Sequence, residues 1–525
     1  GADYAEKIDI QNSTKKEFGD FQTNFALVSS KLIGKNPREI ATKIVTEFEK
    51  NEIIEKLEIA GPGFINFFVK KSSLGSVVGK ILEDDFKYGE NNIGQGKKVL
   101  LEYVSANPTG TLHVGHARNA AYSDSLARIM KKSGYDLSRE YYINDAGNQI
   151  NNLVISAITR YKQALGMDAE MPEDAYHGED IKVLGQKLKD EFGESLLERE
   201  DLNEFIREYA VAYEMENIKK DLGDFGLEYD VFFSEKSLYE NGLVDKALES
   251  LREQGFVYEK DGALWLETTA LGTGDDKDRV LIKADGSLTY LTSDIAYHKN
   301  KLDRGFDLLL DVLGADHHGY IARLKAAINF LGYDENKLEV ILMQMVSLLK
   351  EGKPYKMSKR AGNAVLMSDI ASEIGAEALR FIFISKANTS SLEFDVDELK
   401  KEDSSNPIFY INYAHARINQ IFAKAEKNVQ DVINANFECL DENAKNLLFE
   451  ALILPEILED AFISRQLQKI SDYLKSLAAS FHKFYNENRV VGNKNEDSLL
   501  KVFAVVAISI KTAFNIMGIT AKDRM

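Results

Sequence analysis

The sequence contains one cysteine, Cys439, and lacks any long uninterrupted apolar run. A single cysteine excludes an intramolecular disulfide and a multi-cysteine zinc site, and it is typical of proteins in the reducing cytosol. The apolar stretch VFAVVAISI ends at Lys511, well short of the roughly 20 residues that a membrane span requires. The first residues also lack the pattern of a signal peptide. We therefore expect a cytoplasmic protein that does not enter a membrane.

Basic residues are outnumbered: 65 Lys and Arg stand against 84 Asp and Glu, which gives a formal net charge of -19. Such an excess of acid argues at first against a nucleic-acid partner. The charge is unevenly distributed, however: residues 406–525 carry 14 basic and 14 acidic residues and are neutral. The whole excess lies in residues 1–405, so a separate C-terminal region could still contact RNA.

A chain of 525 residues is expected to form several domains. Residues 1–90 read as a small α/β unit. In the segment NPREIATKIVTEF, Asn36 is a predicted N-cap and Pro37 a first helical residue, and a hairpin pattern follows around a Gly-Pro-Gly turn.

Residues 91–171 change to an alternation of strands and helices. The run VLLEYV is continuously apolar, which predicts a strand buried on both faces of a parallel sheet. A helix, the strand SREYYI and another helix follow. This order predicts the first half of a doubly wound α/β sheet.

Acidic amphipathic helices in residues 172–265 interrupt that alternation and indicate an insertion. In residues 266–405 the strands RVLIKADGSLTYLT, LLLDVLG and VILMQMVSLL predict the second half of the sheet, with a hairpin turn at Asp285 and Gly286. Residues 406–525 show only helical periodicity. The predicted fold class is α/β: a doubly wound parallel sheet split by an insertion, a small N-terminal α/β domain and an all-α C-terminal domain.

The segment SANPTGTLHVGH places His113 and His116, two of only 8 histidines, at the start of a predicted helix. Helix N-termini at the carboxyl ends of parallel strands bind phosphates, and Gly115 would let a nucleotide approach the backbone. The histidines would lie on one side of the first turn and could donate hydrogen bonds to phosphate oxygens. Packing of both rings at the helix start is the alternative, and a zinc site lacks a third ligand nearby.

A second motif, KMSKR, places Lys356 and Lys359 three residues apart in a loop flanked by glycine and proline. Two such lysines suit a phosphate chain whose charge grows as a bond breaks. A basic loop alone is usually solvated surface. The pairing matters here, because one motif lies in each half of the predicted sheet.

HVGH and KMSK resemble the two signature motifs of class I aminoacyl-tRNA synthetases. The longer strings SANPTGTLHVGHARNAAYSD, ADHHGY, KMSKRAGN and NYAHARI resemble bacterial-type arginyl-tRNA synthetases, and GDFQTN resembles their N-terminal domain. The resemblance implies a tRNA-elbow domain at 1–90, a split Rossmann catalytic domain in 91–171 and 266–405, a connective insertion at 172–265, and an anticodon-binding domain at 406–525.

The chemistry that this resemblance implies has two steps. The carboxylate of arginine attacks the α-phosphate of ATP, which gives arginyl-adenylate and pyrophosphate, and the terminal adenosine of the tRNA then accepts the arginyl group. Magnesium is expected with the ATP, without a structural metal, and a monomer is expected. The residues implied as catalytic are His113, His116, Lys356 and Lys359; those implied as ATP contacts are His113, Gly115, His116, Lys356, Met357, Ser358 and Lys359.

An arginine side chain is a planar, permanently charged fork that carboxylates bind bidentately. Two acids, Glu102 and Asp294, stand at predicted strand ends. The resemblance assigns both to arginine, together with Tyr290 and with Asn107 at the backbone end of the amino acid. We assign His317, in the segment Asp-His-His after LLLDVLG, to the pocket lining. That tripeptide also occurs in metal-dependent phosphoesterases, but no companion aspartates with ligand spacing accompany it.

The C-terminal region interleaves aromatic and basic residues. Tyr410, Tyr413 and Arg417 share one predicted helix face, and Tyr485 lies in SFHKFYNENR. Such side chains can stack on unpaired bases and hold phosphates, although an aromatic stripe also commonly forms core. The resemblance implies that this region binds tRNA at the anticodon.

Three alternatives are less consistent with the sequence. A glutamyl-type synthetase has a similar S-P-T-G-x-L-H-I-G-H loop, but its acidic substrate would need basic residues where Glu102 and Asp294 stand. A cysteinyl type needs a cysteine-bearing zinc site in its catalytic half, whereas Cys439 lies in the helical region. A non-catalytic RNA-binding relative should have lost motif histidines or lysines, and this sequence retains them.

Overall fold

The computed structural model describes residues 7–13, 18–49, 51, 53–269, 275, 277–355 and 365–525. In chain order these residues form an antiparallel unit with two helices, a large α/β region and a helical C-terminal region.

The N-terminal unit is a four-stranded antiparallel sheet in the order β1-β2-β4-β3, covered by two helices. Its elements are β1 (Ile10–Asn12), β2 (Phe21–Thr23), α1 (Phe25–Ile33), α2 (Pro37–Glu47), β3 (Ile54–Ala60) and β4 (Phe64–Val69). The side chain of Asn36 accepts a hydrogen bond from the N–H of Arg38, so the predicted N-cap is confirmed. Ala26, Ala41 and Ile65 belong to a small core of its own.

A helix, α3 (Lys71–Glu83), connects this unit to the α/β region. The remaining elements of that region are β5 (Lys98–Tyr103), α4 (Val114–Lys132), β6 (Asp136–Ile143), α5 (Asn148–Ala164), α6 (Glu179–Phe192), α7 (Leu202–Asp224), β7 (Val231–Ser234), α8 (Lys236–Glu240), α9 (Leu243–Glu253), β8 (Val257–Lys260), β9 (Ala263–Leu266), β10 (Arg279–Ile282), α10 (Tyr290–Asp303), β11 (Leu308–Gly314), α11 (Ile321–Phe330), β12 (Leu338–Met343), β13 (Val346–Lys350), β14 (Lys353–Pro354), α12 (Met367–Ile374), α13 (Ala376–Ile384) and β15 (Leu392–Asp395).

The central sheet has five parallel strands in the order β12-β11-β5-β6-β7. Strand β5 is the run VLLEYV with its preceding lysine, and Val99, Leu100 and Leu101 are fully buried, as predicted for a strand covered on both faces. The strand order reverses between β5 and β11. The crevice outside the carboxyl ends of strands at such a reversal is where open α/β sheets bind ligands.

Two short strands differ from what the sequence predicted. Strand β7 lies within the segment 172–265, yet it pairs in parallel with β6, so part of that segment belongs to the central sheet. Strand β10, from RVLI, pairs with β9 in a separate antiparallel sheet, and its predicted hairpin partner makes only one bridge, Ile282 to Leu288. A short apolar strand does not specify its partner; tertiary packing chooses it.

The C-terminal region is entirely helical within the described residues. Its helices are α14 (Pro407–Lys424), α15 (Val429–Val432), α16 (Glu442–Leu452), α17 (Leu454–Ile463), α18 (Gln468–Glu487) and α19 (Glu496–Ile516). By length and composition, α19 is apolar enough to cross a membrane. In this structure, however, 83% of its most apolar stretch is buried inside the protein. It is therefore the central core helix of this region.

Candidate active site

The site begins at the end of β5, where the chain turns into the first motif and then into α4. His113 is the N-cap of α4, and its Nδ1 accepts a hydrogen bond from the N–H of Gly115 at 3.1 Å. His116 Nδ1 accepts from the N–H of His113 at 3.2 Å, which completes a capping box. The two imidazole rings stack with their centroids 3.7 Å apart. The motif histidines therefore cap the helix that they begin.

Both histidines are neutral hydrogen-bond donors in this arrangement. Burial lowers the pKa of His113, and burial followed by the proximity of His113 lowers the pKa of His116 to about 3. Because each Nδ1 accepts a backbone hydrogen bond, the proton of each neutral ring lies on Nε2. Two Nε2–H groups can thus donate to an anion at the start of α4, where the helix dipole also favours negative charge.

Gly115 is required by close contact within the motif. A Cβ at this position would lie 3.0 Å from Cε1 and 3.1 Å from Nδ1 of the His113 ring. Any side chain would displace that ring from its capping position, so the glycine keeps the histidine in place.

The second motif lies outside the described residues, and with it the predicted contacts Lys356, Met357, Ser358 and Lys359. The chain that follows the motif is anchored on the first motif. The N–H of Val114 donates to the carbonyl of Val365 at 2.9 Å, and the N–H of Met367 donates to the carbonyl of Leu112 at 2.8 Å. The chain from the second half of the fold therefore reaches the first motif directly.

An acidic pocket lies near the loop that precedes α4. Asp294 is on α10 one turn after Tyr290, so it stands on a helix and not at the strand end that the sequence suggested. The hydroxyl of Tyr320 donates a short hydrogen bond to Asp294 Oδ2 and orients this carboxylate. Tyr290 itself is 64% exposed at the mouth of the pocket.

The second acid of the pocket is Glu235, which the sequence analysis missed. Glu235 follows β7 directly and is 4% exposed; the hydroxyl of Tyr239 lies 3.3 Å from its Oε1, and the amide nitrogen of Asn144 lies 2.7 Å from its Oε2. An acid after the apolar run VFFS was a usable signal, because Glu102 was chosen by the same logic. It was overlooked because the segment 172–265 was interpreted as an insertion.

The electrostatics of the pocket favour a cation. Burial raises the pKa of Asp294, and burial together with the charge of Asp294 raises the pKa of Glu235. Tyr142 lies near both acids, and its buried hydroxyl has no hydrogen-bond partner among the residues that the structure describes. Two neighbouring carboxylates that repel each other are stabilised by a cation placed between them.

Glu102 and Asn107 lie around the same loop but have different surroundings. Glu102 is 7% exposed, and both of its oxygens are occupied, by the ammonium of Lys301 and by the hydroxyl of Ser105. Asn107 is partly buried, and its amide donates to Gln149 Oε1 at 2.5 Å. The side chain of Asn107 is therefore partly open to solvent, whereas the carboxylate of Glu102 is buried and already paired.

The predicted residue His317 lies in a short 3-10 helix after β11, and its side chain is outside the described part of the structure. Within the described ranges, no group of three or more His, Cys, Asp or Glu side chains is arranged to hold a metal ion.

The four predicted RNA-contacting residues form one cluster between α14 and α18. The guanidinium of Arg417 lies between two rings, 4.7 Å from the centroid of Tyr413 and 4.9 Å from that of Tyr485. Tyr410 packs on His482 with ring centroids 4.5 Å apart, and the same histidine stacks on Tyr413. All four side chains are partly exposed, so the cluster has an open aromatic and cationic face.

Three family models match this chain in the order of its structural regions. The model described as Arginyl tRNA synthetase N terminal domain matches residues 2–69, tRNA synthetases class I (R), catalytic domain, matches 77–423, and DALR anticodon binding domain matches 411–525. The parallel sheet with its histidine-capped helix start and these matches define a class I tRNA synthetase.

Known relatives specify the family within that class. An arginine–tRNA ligase from Campylobacter concisus is 62% identical over 497 residues, covering 94% of this chain and 93% of the relative. A crystal structure from Campylobacter jejuni described as a putative arginyl t-RNA synthetase has a TM-score of 0.82 at 49% identity, covering 87% of this chain and 100% of that one. The Thermus thermophilus arginyl-tRNA synthetase shares the fold, with a TM-score of 0.73 at 20% identity over 100% of this chain and 98% of that one. The chain belongs to the arginyl-tRNA synthetase family.

Proposed function

We propose that this chain is an arginine–tRNA ligase that activates arginine with ATP and transfers the arginyl group to its tRNA. The observation that carries the proposal is the juxtaposition of an anion site and a cation pocket. The first turn of α4 offers two neutral Nε2–H donors. The loop that leads into it carries Asn107, whose Oδ1 lies 3.2 Å from the side-chain amide of Asn144, and Asn144 pairs with the buried acid Glu235, the neighbour of Asp294. The anionic phosphates of ATP match the first site, and the cationic guanidinium of arginine matches the second.

The proposed ATP site is the start of α4 together with the second motif. His113 and His116 donate to phosphate oxygens, and Gly115 leaves space above the first turn. Lys356 and Lys359 stabilise the charge of the departing pyrophosphate, with Met357 and Ser358 completing the loop. The hydrogen bond between Val114 and Val365 supports this assignment, because it brings the exit of that loop onto the first motif.

The proposed arginine site lies between the ends of β5, β6 and β7. The guanidinium binds between Asp294 and Glu235, as expected for a fork read by carboxylates. Asn107 holds the backbone end of the amino acid, and Tyr290 and His317 line the pocket. Because the side-chain end is held, the substrate carboxylate is directed toward the nucleotide.

The proposed chemistry requires no covalent bond to the protein. A carboxylate oxygen of arginine forms a bond to the α-phosphorus of ATP while the bond to pyrophosphate breaks. A ribose hydroxyl of the terminal adenosine of tRNA then attacks the carbonyl carbon, gives up its proton, and displaces AMP. Protein groups contribute positioning and charge stabilisation.

Magnesium is proposed as part of the ATP substrate, bound chiefly by its phosphates. The domain roles proposed are contact with the tRNA elbow for residues 1–90, catalysis for 91–171 and 266–405, connection for 172–265, and anticodon binding for 406–525. In the last of these, Tyr410, Tyr413, Arg417 and Tyr485 are the proposed RNA contacts. We also propose that the protein acts as a cytoplasmic monomer.

Pyrophosphate exchange with each amino acid, with and without tRNA, tests the function. We expect ATP formation to depend on arginine alone among the amino acids and to require tRNA. Exchange without arginine dependence would contradict the proposal. In the same assay Lys359→Ala should lower the rate of activation while tRNA affinity is retained, and a large loss of tRNA affinity would reassign this lysine to RNA binding.

A further inference from the structure

A fully buried lysine lies beneath the arginine pocket, where the two halves of the sheet meet. Lys301, on α10, is 0% exposed; its ammonium is 2.9 Å from Asp311 Oδ1 and donates a second, short hydrogen bond to Glu102 Oε2. Asp311 on β11 and Glu102 on β5 are register partners in the sheet. Burial opposes the charge of Lys301, but the attraction of the two acids outweighs it and raises the pKa of the ammonium. One charged group therefore bridges the strands at the point where the strand order reverses.

One arm of this network extends to the loop that carries Asn107. Glu102 Oε1 accepts a hydrogen bond from the hydroxyl of Ser105 at 3.0 Å, and Ser105 Oγ accepts from the N–H of Tyr142 at 3.0 Å. Val104 and Ser105 have φ angles of 66° and 41°, in the left-handed region that residues other than glycine rarely adopt. Such a turn persists only where its surroundings hold it. The hydrogen bond from Ser105 to Glu102 holds this turn, which ends two residues before Asn107.

The other arm extends to the acid that faces the substrate side chain. His298 Nε2 lies 2.7 Å from Asp311 Oδ2, and His298 Nδ1 lies 2.7 Å from the carbonyl oxygen of Asp294. Lys301, His298 and Asp294 all belong to α10, so the position of this helix relative to β11 fixes where the Asp294 carboxylate stands. The two arms begin at one ammonium and end at opposite ends of the proposed arginine site.

We infer that Lys301 is a positioning residue that sets both ends of the arginine site, and that Glu102 acts through this lysine without contacting the substrate. The inference rests on the proposed function. Both oxygens of Glu102 have protein partners and the residue is 7% exposed, so a guanidinium would have to displace Lys301 to reach it. Asp294 and Glu235 remain as the acids that bind arginine directly.

The main test is the double variant Lys301→Met with Glu102→Gln, which removes the buried pair without leaving an unpaired charge on β5; Asp311 keeps His298 as its neighbour. Lys299→Met is the matched control, because Lys299 lies on the same helix but pairs with Asp303 near the surface. Michaelis constants for arginine and ATP are measured separately by pyrophosphate exchange, with the melting temperature and tRNA affinity of each variant.

We expect the arginine KM of the double variant to rise about tenfold or more while the ATP KM changes less than about twofold, since groups that orient binding residues typically contribute such factors. The control should resemble the wild type. An unchanged arginine KM, or an equal rise in both constants, would overturn the inference.

Asp311→Asn provides an independent variant, because it keeps the shape of the side chain but removes its negative charge and one of the two acceptor oxygens that face Lys301 and His298. It should also raise the arginine KM selectively, and an arginine KM equal to that of the wild type would contradict the network.

Failure of the proposed function would be distinguishable from failure of this inference, because the wild-type protein itself would then lack arginine-dependent exchange.

Discussion

At the residue scale, substrate choice depends on two carboxylates whose charge is costly without a substrate. Glu235 is almost fully buried and Asp294 is half-buried, and the charge of Asp294 adds to the effect of burial in raising the pKa of Glu235. A bound guanidinium would pair with both acids and remove their mutual repulsion. An uncharged isostere of arginine would leave them unpaired, so the pocket selects for charge as well as length.

Glu235→Gln should weaken arginine binding without affecting ATP. Losing one partner of a buried charge pair costs about 2 kcal/mol or more, which is roughly a 30-fold rise in the arginine KM. Steady-state kinetics of pyrophosphate exchange measure this KM, and Glu200→Gln, at an exposed position, is the control. Equal arginine KM values in the two variants would remove Glu235 from the arginine site.

The pH dependence of arginine binding follows from the same acids. Because their pKa values are raised, they take up protons at a higher pH than ordinary carboxylates, and the protonated forms bind a cation poorly. The arginine KM should therefore be constant at neutral pH and rise as the pH falls toward the raised values. Profiles of kcat/KM for arginine and for ATP provide the measurement; Asp294→Asn should lower the pH at which the rise begins. A rise of the same size in the ATP KM would contradict this explanation.

At the element scale, α4 connects the two halves of the site. Its first turn carries the capping histidines, and one turn later Arg118, which is 1% exposed, extends into the second half of the fold. The guanidinium of Arg118 donates to the carbonyl oxygens of Gln344 at 2.8 Å and of Ala387 and Ser390 at 2.9 Å. It therefore joins the helix of the first motif to the segment that enters β13, which is followed in sequence by β14 and then by the second motif.

Arg118→Met should slow the chemical step more than it weakens substrate binding. The variant leaves buried carbonyls without their donor and loosens the spacing between the motifs, and misplacement of about 1 Å can cost about 100-fold in rate. We expect kcat for exchange to fall about tenfold or more, with the arginine KM within about threefold of the wild type. Lys131→Met, exposed on the same helix, is the control. A change confined to the arginine KM would show that this arginine does not align the motifs.

At the scale of the whole molecule, the α/β region and the helical region share one continuous apolar core. The cluster that contains Val99 and Leu101 of β5 also contains Leu474 of α18 and Phe503 of α19. Arg380, 1% exposed, crosses this boundary: Nε donates to the carbonyl of Met517 at 2.7 Å. We therefore expect the two regions to unfold together, so that a change at their contact affects both.

Gly518→Ala tests this coupling. Gly518 has φ 68°, and a Cβ there would clash with the buried guanidinium of Arg380. Gly96 is the matched control, because it has φ 71° and no atom lies within 4 Å of the place that an alanine Cβ would take, so alanine there incurs only the backbone cost of about 1 kcal/mol. We expect the melting temperature to fall further in Gly518→Ala, in a single transition. Equal losses in both variants would show that Arg380 adapts without cost.

The sequence by itself determined the features that depend on local pattern. The apolar run VLLEYV specified a strand buried on both faces, and His113 stands where the strand-loop-helix pattern placed a helix start. Asn36 caps the helix that its side chain and Pro37 indicated. These features require only neighbouring residues, because a strand covered on both faces, a helix cap and a one-turn spacing are set within a few positions of the chain.

Only the tertiary structure decided which distant residues share a site. Glu235 reaches the pocket because β7 pairs with β6, and no local pattern distinguishes that pairing from the antiparallel pairing of β10. Glu102 is an acid at the end of a parallel strand, as a substrate-binding residue would be. Its carboxylate is nevertheless paired with Lys301, almost 200 residues later in the chain. The free energy of a buried charge depends on what surrounds it in three dimensions, and the order of residues along the chain does not specify those neighbours.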